Sequence, residues 1–566
     1  MAQIPRRLTP TAQIKQSSAD NTTTPSLMSV WSGMDDLFTI SPRGLATPLA
    51  SHKPFLYAFI CLLWLLPGLL GRDPWHPHEL ILTPVVSNMV NDGLSWMPSI
   101  LGEPFVKMPP LYLWLASFSA QATAWFLPVH EGARLINIVL LAVGLLFIRL
   151  CAGRYGALAG WVAVLLAVGT TGLMVKAHLL NASVAAFAGG GALLWGVLRL
   201  HTHAVVGGMT VGLAIGFLFM SVGVTSAAAA VLALSLLMMR RYSWWRRPWD
   251  GLATAMVFAL PGLLIWPLIL VLVSPDWFSL WLEQAVLPSA FSVSSFLYNV
   301  FDLIKTLSWS LFPVLPIVIF GLWFLGWNYA FEQTVFLCLC LLAAGSLLFL
   351  FKGGNEEDLF FVLPALSVAA ALALQRLPND AAVVLDWFAM LIVGLCCIGL
   401  LWFLWLCLQT GAPAVVFDYI DSLYPDQKIL SMPSYWGVGF AAVMTILWVS
   451  LIMNFGLSNE RAVVNWSSGV AMVWLLFNVL WVDYVDSGKS YRRVAEFVKL
   501  RLDGECLQKN GISLSLLAQM DYFGVTVGGD KCRFFLANAD SQAETGELIW
   551  EGGRPGKRQY LLYRRF

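Results

Sequence analysis

Charged residues are scarce. Asp, Glu, Lys and Arg make up 12% of the 566 residues, where a soluble domain carries about a quarter. That shortage excludes an ordinary water-facing surface. Net charge is equally thin at +1, so neither a nucleic acid nor a strongly acidic partner is indicated. No apolar core lies near residue 10, which reads against a cleavable leader. Residues 1–53, with Thr9-Pro10-Thr11 and Asn21-Thr22-Thr23-Thr24-Pro25-Ser26, also lack apolar periodicity. Such a segment buries too little surface to offset chain entropy, and a disordered cytoplasmic tail is expected there. No pair of internally similar halves with broken helices is evident, which argues against a transporter.

What the chain has in abundance is apolar surface: 58% hydrophobic residues and a mean hydropathy of +0.73. Apolar runs of about 20 residues cover a hydrocarbon core of roughly 30 Å. They recur at 54–70, 133–150, 156–175, 179–199, 205–221, 223–239, 251–273, 307–327, 333–351, 359–375, 382–408, 434–454 and 464–482. The 26 Trp and 28 Pro suit interfacial anchors and interrupted helices. About thirteen spans put the two chain ends on opposite sides of a membrane.

A further apolar segment, Leu111 to Leu127, is excluded from that count. It follows Pro109-Pro110 and carries Ser117, Ser119, Gln121 and Thr123. With it omitted and the N-terminus inside, Arg149, Arg154, Arg199 and Arg240-Arg241…Arg246-Arg247 all face the cytoplasm, as the positive-inside bias asks. An interfacial or re-entrant helix is the expectation. Residues 54–485 then form a membrane domain with an external loop over 71–132. Residues 486–566 form a small α/β domain outside, in the periplasm if the cell is Gram-negative. Seven of the nine cysteines fall in apolar spans; Cys506 and Cys532 lie in this tail, where an oxidising compartment favours a disulfide over two buried thiols.

The external loop holds the polar residues of interest. It reads Gly71-Arg72-Asp73-Pro74-Trp75-His76-Pro77-His78-Glu79, then Asn91-Asp92-Gly93-Leu94-Ser95-Trp96-Met97-Pro98. Next come Leu101-Gly102-Glu103-Pro104-Phe105-Val106-Lys107-Met108-Pro109-Pro110-Leu111 and Glu131-Gly132-Ala133-Arg134-Leu135. This order resembles the first external loop of GT-C membrane glycosyltransferases related to the lipid A aminoarabinose transferase and to protein O-mannosyltransferases. The resemblance implies an all-α polytopic GT-C-like fold of about thirteen helices with a small C-terminal α/β domain, in a bacterial inner membrane. It also implies transfer of a sugar from a polyprenyl-phosphate carrier to a lipid or protein acceptor. That chemistry asks for a general base at the acceptor hydroxyl and for cations at the leaving phosphate.

Against the family pattern, the polar positions differ. The first acid of the acidic pair is His78; the second is Glu79. The metal-ligating glutamate of some relatives falls on Lys107 and the following lysine on Met108, so no metal cofactor is expected. In Gly216-Phe217-Leu218-Phe219-Met220-Ser221-Val222-Gly223, a valine takes the place of the family lysine. Glu283-Gln284 stands for an acid–imidazole pair. After the third span come Lys176, His178, Asn181 and Ser183, with no acid between Glu131 and Asp250.

Glu79 and His78 are therefore the candidate bases, with a helix-capping carboxylate as the other reading of Glu79. Lys107, Arg134 and Lys352 are candidates for the lipid phosphate; headgroup anchoring, or a solvated turn for Lys352-Gly353-Gly354-Asn355-Glu356-Glu357-Asp358, is the alternative. Two functions stay open. One is a glycosyltransferase using a polyprenyl-phosphate-linked sugar. The other is a catalytically degenerate member that binds lipid or assists assembly beside an active relative.

Overall fold

Apolar runs in lipid must satisfy their backbone groups internally, and helices do so. A computed structural model describes residues 49–75, 77, 79–239, 248–286, 292–352, 356–377, 379–423, 435–454, 459–509, 512–529, 531–539, 546–554 and 559–565. His78 and the Arg240–Arg247 group lie outside them. Residues 54–566 form one compact unit.

Among the described residues, nine helices are long and apolar enough to cross a membrane. A tenth arises if the bent pair Val293–Ser310 and Val314–Ala330 is one span. Thirteen full-length spans are not reached. Three expected spans are the shorter helices Lys53–Leu65, Ala157–Val168 and Val224–Met238. The 156–175 run breaks at Gly169-Thr170 and resumes as Thr171–Lys176, with the Thr171 amide donating to the Phe312 carbonyl (3.0 Å) instead of continuing one ladder. The expected 307–327 span starts within helix Val293–Ser310 and turns by 94° beside Pro313, whose ring nitrogen has no proton to give the preceding turn.

Leu111–Thr123 is a helix of 13 residues, about 20 Å long and too short for a crossing. It is pinned to the next helix, Val129–Arg134, where the Ser119 hydroxyl donates to the Gly132 carbonyl at 2.7 Å. Gly132 permits that approach: a Cβ there would lie 2.3 Å from Thr123 Oγ1.

Helix Ile136–Ala152 orients the bundle. Asn137 lies at its external-loop end. Arg149 lies at the other, about 18 Å along the axis. At that second end Arg154 donates to the Leu198 carbonyl (3.0 Å) beside Arg199.

Two small β elements lie at the external-loop end. β1 (Ser99–Ile100) and β2 (Glu103–Pro104) make a tight antiparallel hairpin in that loop. Past the last long helix, β3 (Leu507–Gln508), β4 (Val527–Gly528), β5 (Phe534–Asn538), β6 (Glu547–Gly553) and β7 (Gln559–Arg564) form one sheet in the order β4-β3-β5-β7-β6. Its core is Leu507, Phe534, Leu536 and Leu562 packed under helices Arg492–Leu502 and Leu514–Tyr522. A disulfide joins Cys506, just before β3, to Cys532, just before β5. Leu80 of the external loop is buried in this same core. The loop and the C-terminal sheet therefore share one face of the membrane domain.

Candidate functional site

Glu79 opens helix Glu79–Asn91, and its side chain is fully buried. A buried carboxylate survives only when its lone pairs are met. Five donors meet them: Arg134 Nε (2.8 Å) and Nη2 (3.0 Å), Arg72 Nη1 (3.0 Å), and the backbone amides of Trp75 (2.8 Å) and Leu180 (2.8 Å). Burial alone would raise this carboxyl, but the Arg134 and Arg72 charges outweigh it and hold the group well below the usual range. The Arg72 guanidinium is lowered to about 10, first by burial and then by the Arg134 charge.

Both guanidiniums are consumed by this arrangement. Arg134, fully buried, also donates to the carbonyls of Arg72 and Asp73, both at 2.9 Å. Arg72 donates to the carbonyls of Gly68 (2.7 Å) and His178 and lies 4.2 Å over the Trp75 ring. Next to them Asn137 bridges the carbonyls of Ala177 (3.1 Å) and Leu179 (2.8 Å) and accepts from the Tyr112 hydroxyl (3.1 Å). The result is a rigid polar knot joining the first loop, the Val129–Arg134 helix and the 177–180 turn.

The C-terminal sheet is tied to the outside of this knot. Arg492 Nη2 and Nε grip Asp73 at 2.5 and 2.8 Å, and Ser490 Oγ donates to the same carboxylate at 2.8 Å. Asp486 accepts from the Trp75 indole (2.5 Å) and the Asp73 amide (3.1 Å). Burial pushes the Asp486 carboxyl up to about 6 despite those donors. Gln519 reaches the carbonyls of Glu79 and Leu80, Lys509 that of Leu101, and His130 Nδ1 the Tyr522 hydroxyl.

This geometry alters the reading of the sequence candidates. With five donors on its two oxygens, Glu79 fits the helix-start anchor. Arg134 fits the same anchor, since its buried guanidinium is spent on Glu79 and the carbonyls of Arg72 and Asp73. Lys352 ends helix Gln333–Lys352 and donates to Thr225 Oγ1 (2.9 Å) and the Ala285 carbonyl (2.5 Å), keeping one proton for another acceptor. Lys107 is exposed and makes no ion pair among the described residues. His78 is not described. The ammonium of Lys107 would repel a cation. The described residues include no group of three metal-ligating side chains.

Three groups escaped the sequence reading. Arg72 adjoins the motif, but nothing local says which carboxylate it pairs with, here Glu79. Asp73 and Arg492 lie 419 positions apart. The third is a pair across the bundle: Lys176, buried, lies 3.1 Å from Glu356 Oε2.

No family model and no curated protein sequence matches this chain. Among solved structures it is similar to ArnT from Cupriavidus metallidurans in the apo state, with 15% identity, a TM-score of 0.64, and 91% of this chain and 98% of ArnT covered. It is equally similar to ArnT bound to undecaprenyl phosphate, at 15% identity and a TM-score of 0.64 over 90% and 98% of the two chains. The chain therefore has the ArnT fold: a multi-pass membrane protein with a small sheet at its C-terminal end.

Proposed function

We propose that this chain is a GT-C-type glycosyltransferase of a bacterial inner membrane. It takes a polyprenyl-phosphate-linked sugar on the periplasmic side and passes the sugar to a lipid or protein acceptor. The observation that carries this reading is the near full-length likeness to ArnT, one of whose structures holds undecaprenyl phosphate. The shared face of the external loop and the C-terminal sheet and the third proton of Lys352 support this reading. Lys107, exposed at the same face, and Lys352 supply the cations for the leaving phosphate. His78 stands in the place of the first acid as an imidazole able to take a proton.

The saturation of Glu79 favours a second reading, a degenerate member that binds the carrier lipid beside an active relative. One experiment separates the two. The protein in nanodiscs is titrated with undecaprenyl phosphate, then given a panel of undecaprenyl-phosphate sugars while release of the lipid phosphate is followed. Binding with release supports the enzyme. Binding without release on every donor supports the lipid-binding subunit. Failure to bind removes both.

A further inference from the structure

Helix Val293–Ser310 lies across the bundle instead of along it. The next helix, Val314–Ala330, runs beside the span Glu356–Arg376. A Cβ at Gly321 would lie 2.8 Å from Ala373 Cβ, and Glu332, just past that helix, pairs with Arg376 at 2.6 Å. Val293–Ser310 stands at 94° to it. It sits at the end of the bundle that carries the polar knot. There a Cβ at Gly172, in the helix leading to the 177–180 turn, would lie 2.5 Å from the Ser310 carbonyl oxygen. Asn299 Nδ2 donates to the Leu350 carbonyl at 3.0 Å, two residues before Lys352. Leu303 packs with Phe349 and with Leu359 of the turn Glu356–Val362. Ser292 Oγ accepts from the Ser295 amide at 3.1 Å and fixes where the helix starts.

At about 100° per residue, the side chains of this helix fall on three sides. Leu303, Thr306 and Ser310 are buried on the side that meets the bundle. Val293, Leu297, Phe301 and Ile304 share a second side and are 69, 62, 69 and 59% exposed. Ser308 stands among them, but its hydroxyl is spent on the Ile304 carbonyl at 2.7 Å. The third side holds Tyr298, Asp302, Lys305 and Trp309, two amphipathic rings and two charges of opposite sign. Water all round would meet a bare apolar strip, and lipid tails all round would desolvate the charges. A helix at the boundary satisfies both, with its apolar side in the acyl chains and its aromatic and charged side among the headgroups. Bundle, tails and headgroups then take one side each. The neighbouring helix continues the lipid-facing surface, with Ile319, Trp323, Phe324 and Trp327 exposed.

We infer that Val293–Ser310 is a membrane-interface helix, with the bilayer as the partner of its Val293, Leu297, Phe301 and Ile304 strip. It lies in the plane of the membrane at the external-loop end. Through Asn299 it ties the lipid surface to the end of the helix that carries Lys352. Asp302 and Lys305 offset each other, so apolar contact seats the helix and headgroup charge does not. A neutral bilayer therefore fits this surface as well as an anionic one. The inference goes beyond the glycosyltransferase reading and holds whether or not a sugar is moved.

The test maps depth with the full chain in nanodiscs, its own free thiols replaced. Single cysteines at 297, 301, 304 and 305 each carry a nitroxide. Relaxation by oxygen, which concentrates in acyl chains, is compared with relaxation by a water-soluble nickel chelate. Labels at 297, 301 and 304 are expected to favour oxygen several-fold more than the label at 305 does, equally in phosphatidylcholine and phosphatidylglycerol discs. Leu297→Asp with Phe301→Asp should erase the oxygen preference at 304, while Ser294→Asp should leave it. The map of the single labels decides even where the doubly charged variant fails to fold. Nickel access at 301 equal to that at 305 overturns the inference. So does protection of 301 from both reagents, which would mark a protein partner or a second copy on the strip. Insertion confined to phosphatidylglycerol discs also overturns it, because headgroup charge would then be seating the helix.

Discussion

Glu79 and Arg134 form a two-pronged ion pair, Nε to Oε1 at 2.8 Å and Nη2 to Oε2 at 3.0 Å, with neither side chain exposing any surface. Removing one member of such a pair leaves the other charged and dry, which costs about 3–5 kcal/mol. Here Glu79→Gln strands two guanidiniums. The variant is expected to unfold at markedly lower temperature in detergent. Any fall in activity should follow the folded fraction, with turnover per folded molecule preserved. A full-strength fold with abolished turnover would instead restore Glu79 to the chemistry.

The disulfide gives a prediction about the C-terminal sheet. Cys506 and Cys532 lie 26 residues apart, and closing a loop of that size restricts the unfolded chain by roughly 3–4 kcal/mol. The bond ties the strands at one side of the sheet, β3 to β5. Reductant, or Cys506→Ser with Cys532→Ser, should open residues 486–566 to protease at concentrations that spare the reduced-insensitive membrane helices. Equal proteolysis with and without reductant would contradict this.

A pH dependence follows from Asp486. Its folded value of about 6 lies above the unfolded value of about 3.9. A raised carboxyl binds its proton better when folded. Its contribution to stability is therefore full below about pH 4 and is lost as pH rises through 6. The full effect is at most about 3 kcal/mol. Wild-type docking of the C-terminal sheet, read by unfolding temperature or hydrogen exchange, should weaken across that window. In Asp486→Asn the step should vanish. A step of the same size in the variant would move the cause elsewhere.

Much of this molecule was legible from the chain alone because lipid imposes a simple rule. Apolar length gave most spans, and the exclusion of 111–127 rested on arginine placement that the short Leu111–Thr123 helix suits. The misses have physical causes. A run such as 156–175 looks unbroken in hydropathy, yet Gly169-Thr170 leaves the helix when a partner carbonyl at Phe312 is on offer. The saturation of Glu79 was hidden from the sequence, because its donors come from positions 72, 75, 134 and 180. No local pattern in the sequence announces that three separate segments, around 72–75, 134 and 180, converge. Lys176–Glu356, separated by 180 positions in the chain, is beyond any spacing rule.

Gly190 tests how tightly the 356–362 turn is held. Its missing Cβ leaves room for the Phe361 carbonyl, which would otherwise stand 2.0 Å away. Backbone cannot give way as a flexible side chain can. Gly190→Ala should therefore cost about 1–3 kcal/mol by overpacking and displace Glu356 from Lys176. The unfolding temperature measures the first effect. An unchanged temperature would mean that the helix and turn are less intimately packed than this.

Sidedness is the last prediction, and it depends on which surfaces meet. Leu80 is buried in the core of the C-terminal sheet, and Lys509 reaches the Leu101 carbonyl at 2.7 Å. Asp92 and Arg501, both exposed, therefore belong to one face. Arg154, also exposed, belongs to the other, since it lies in the turn just past the far end of the helix that begins beside Asn137. Single cysteines at these three positions, in a chain whose own free thiols are replaced, can be offered an impermeant maleimide. In intact cells stripped of the outer membrane, the cysteines at 92 and 501 should react. The one at 154 should react only after lysis, because arginine-rich turns face the cytoplasm. Reaction at 92 and 501 from opposite sides would break the shared face, and reaction at 154 alone in intact cells would invert the protein and carry the loop away from the compartment where an acceptor arrives.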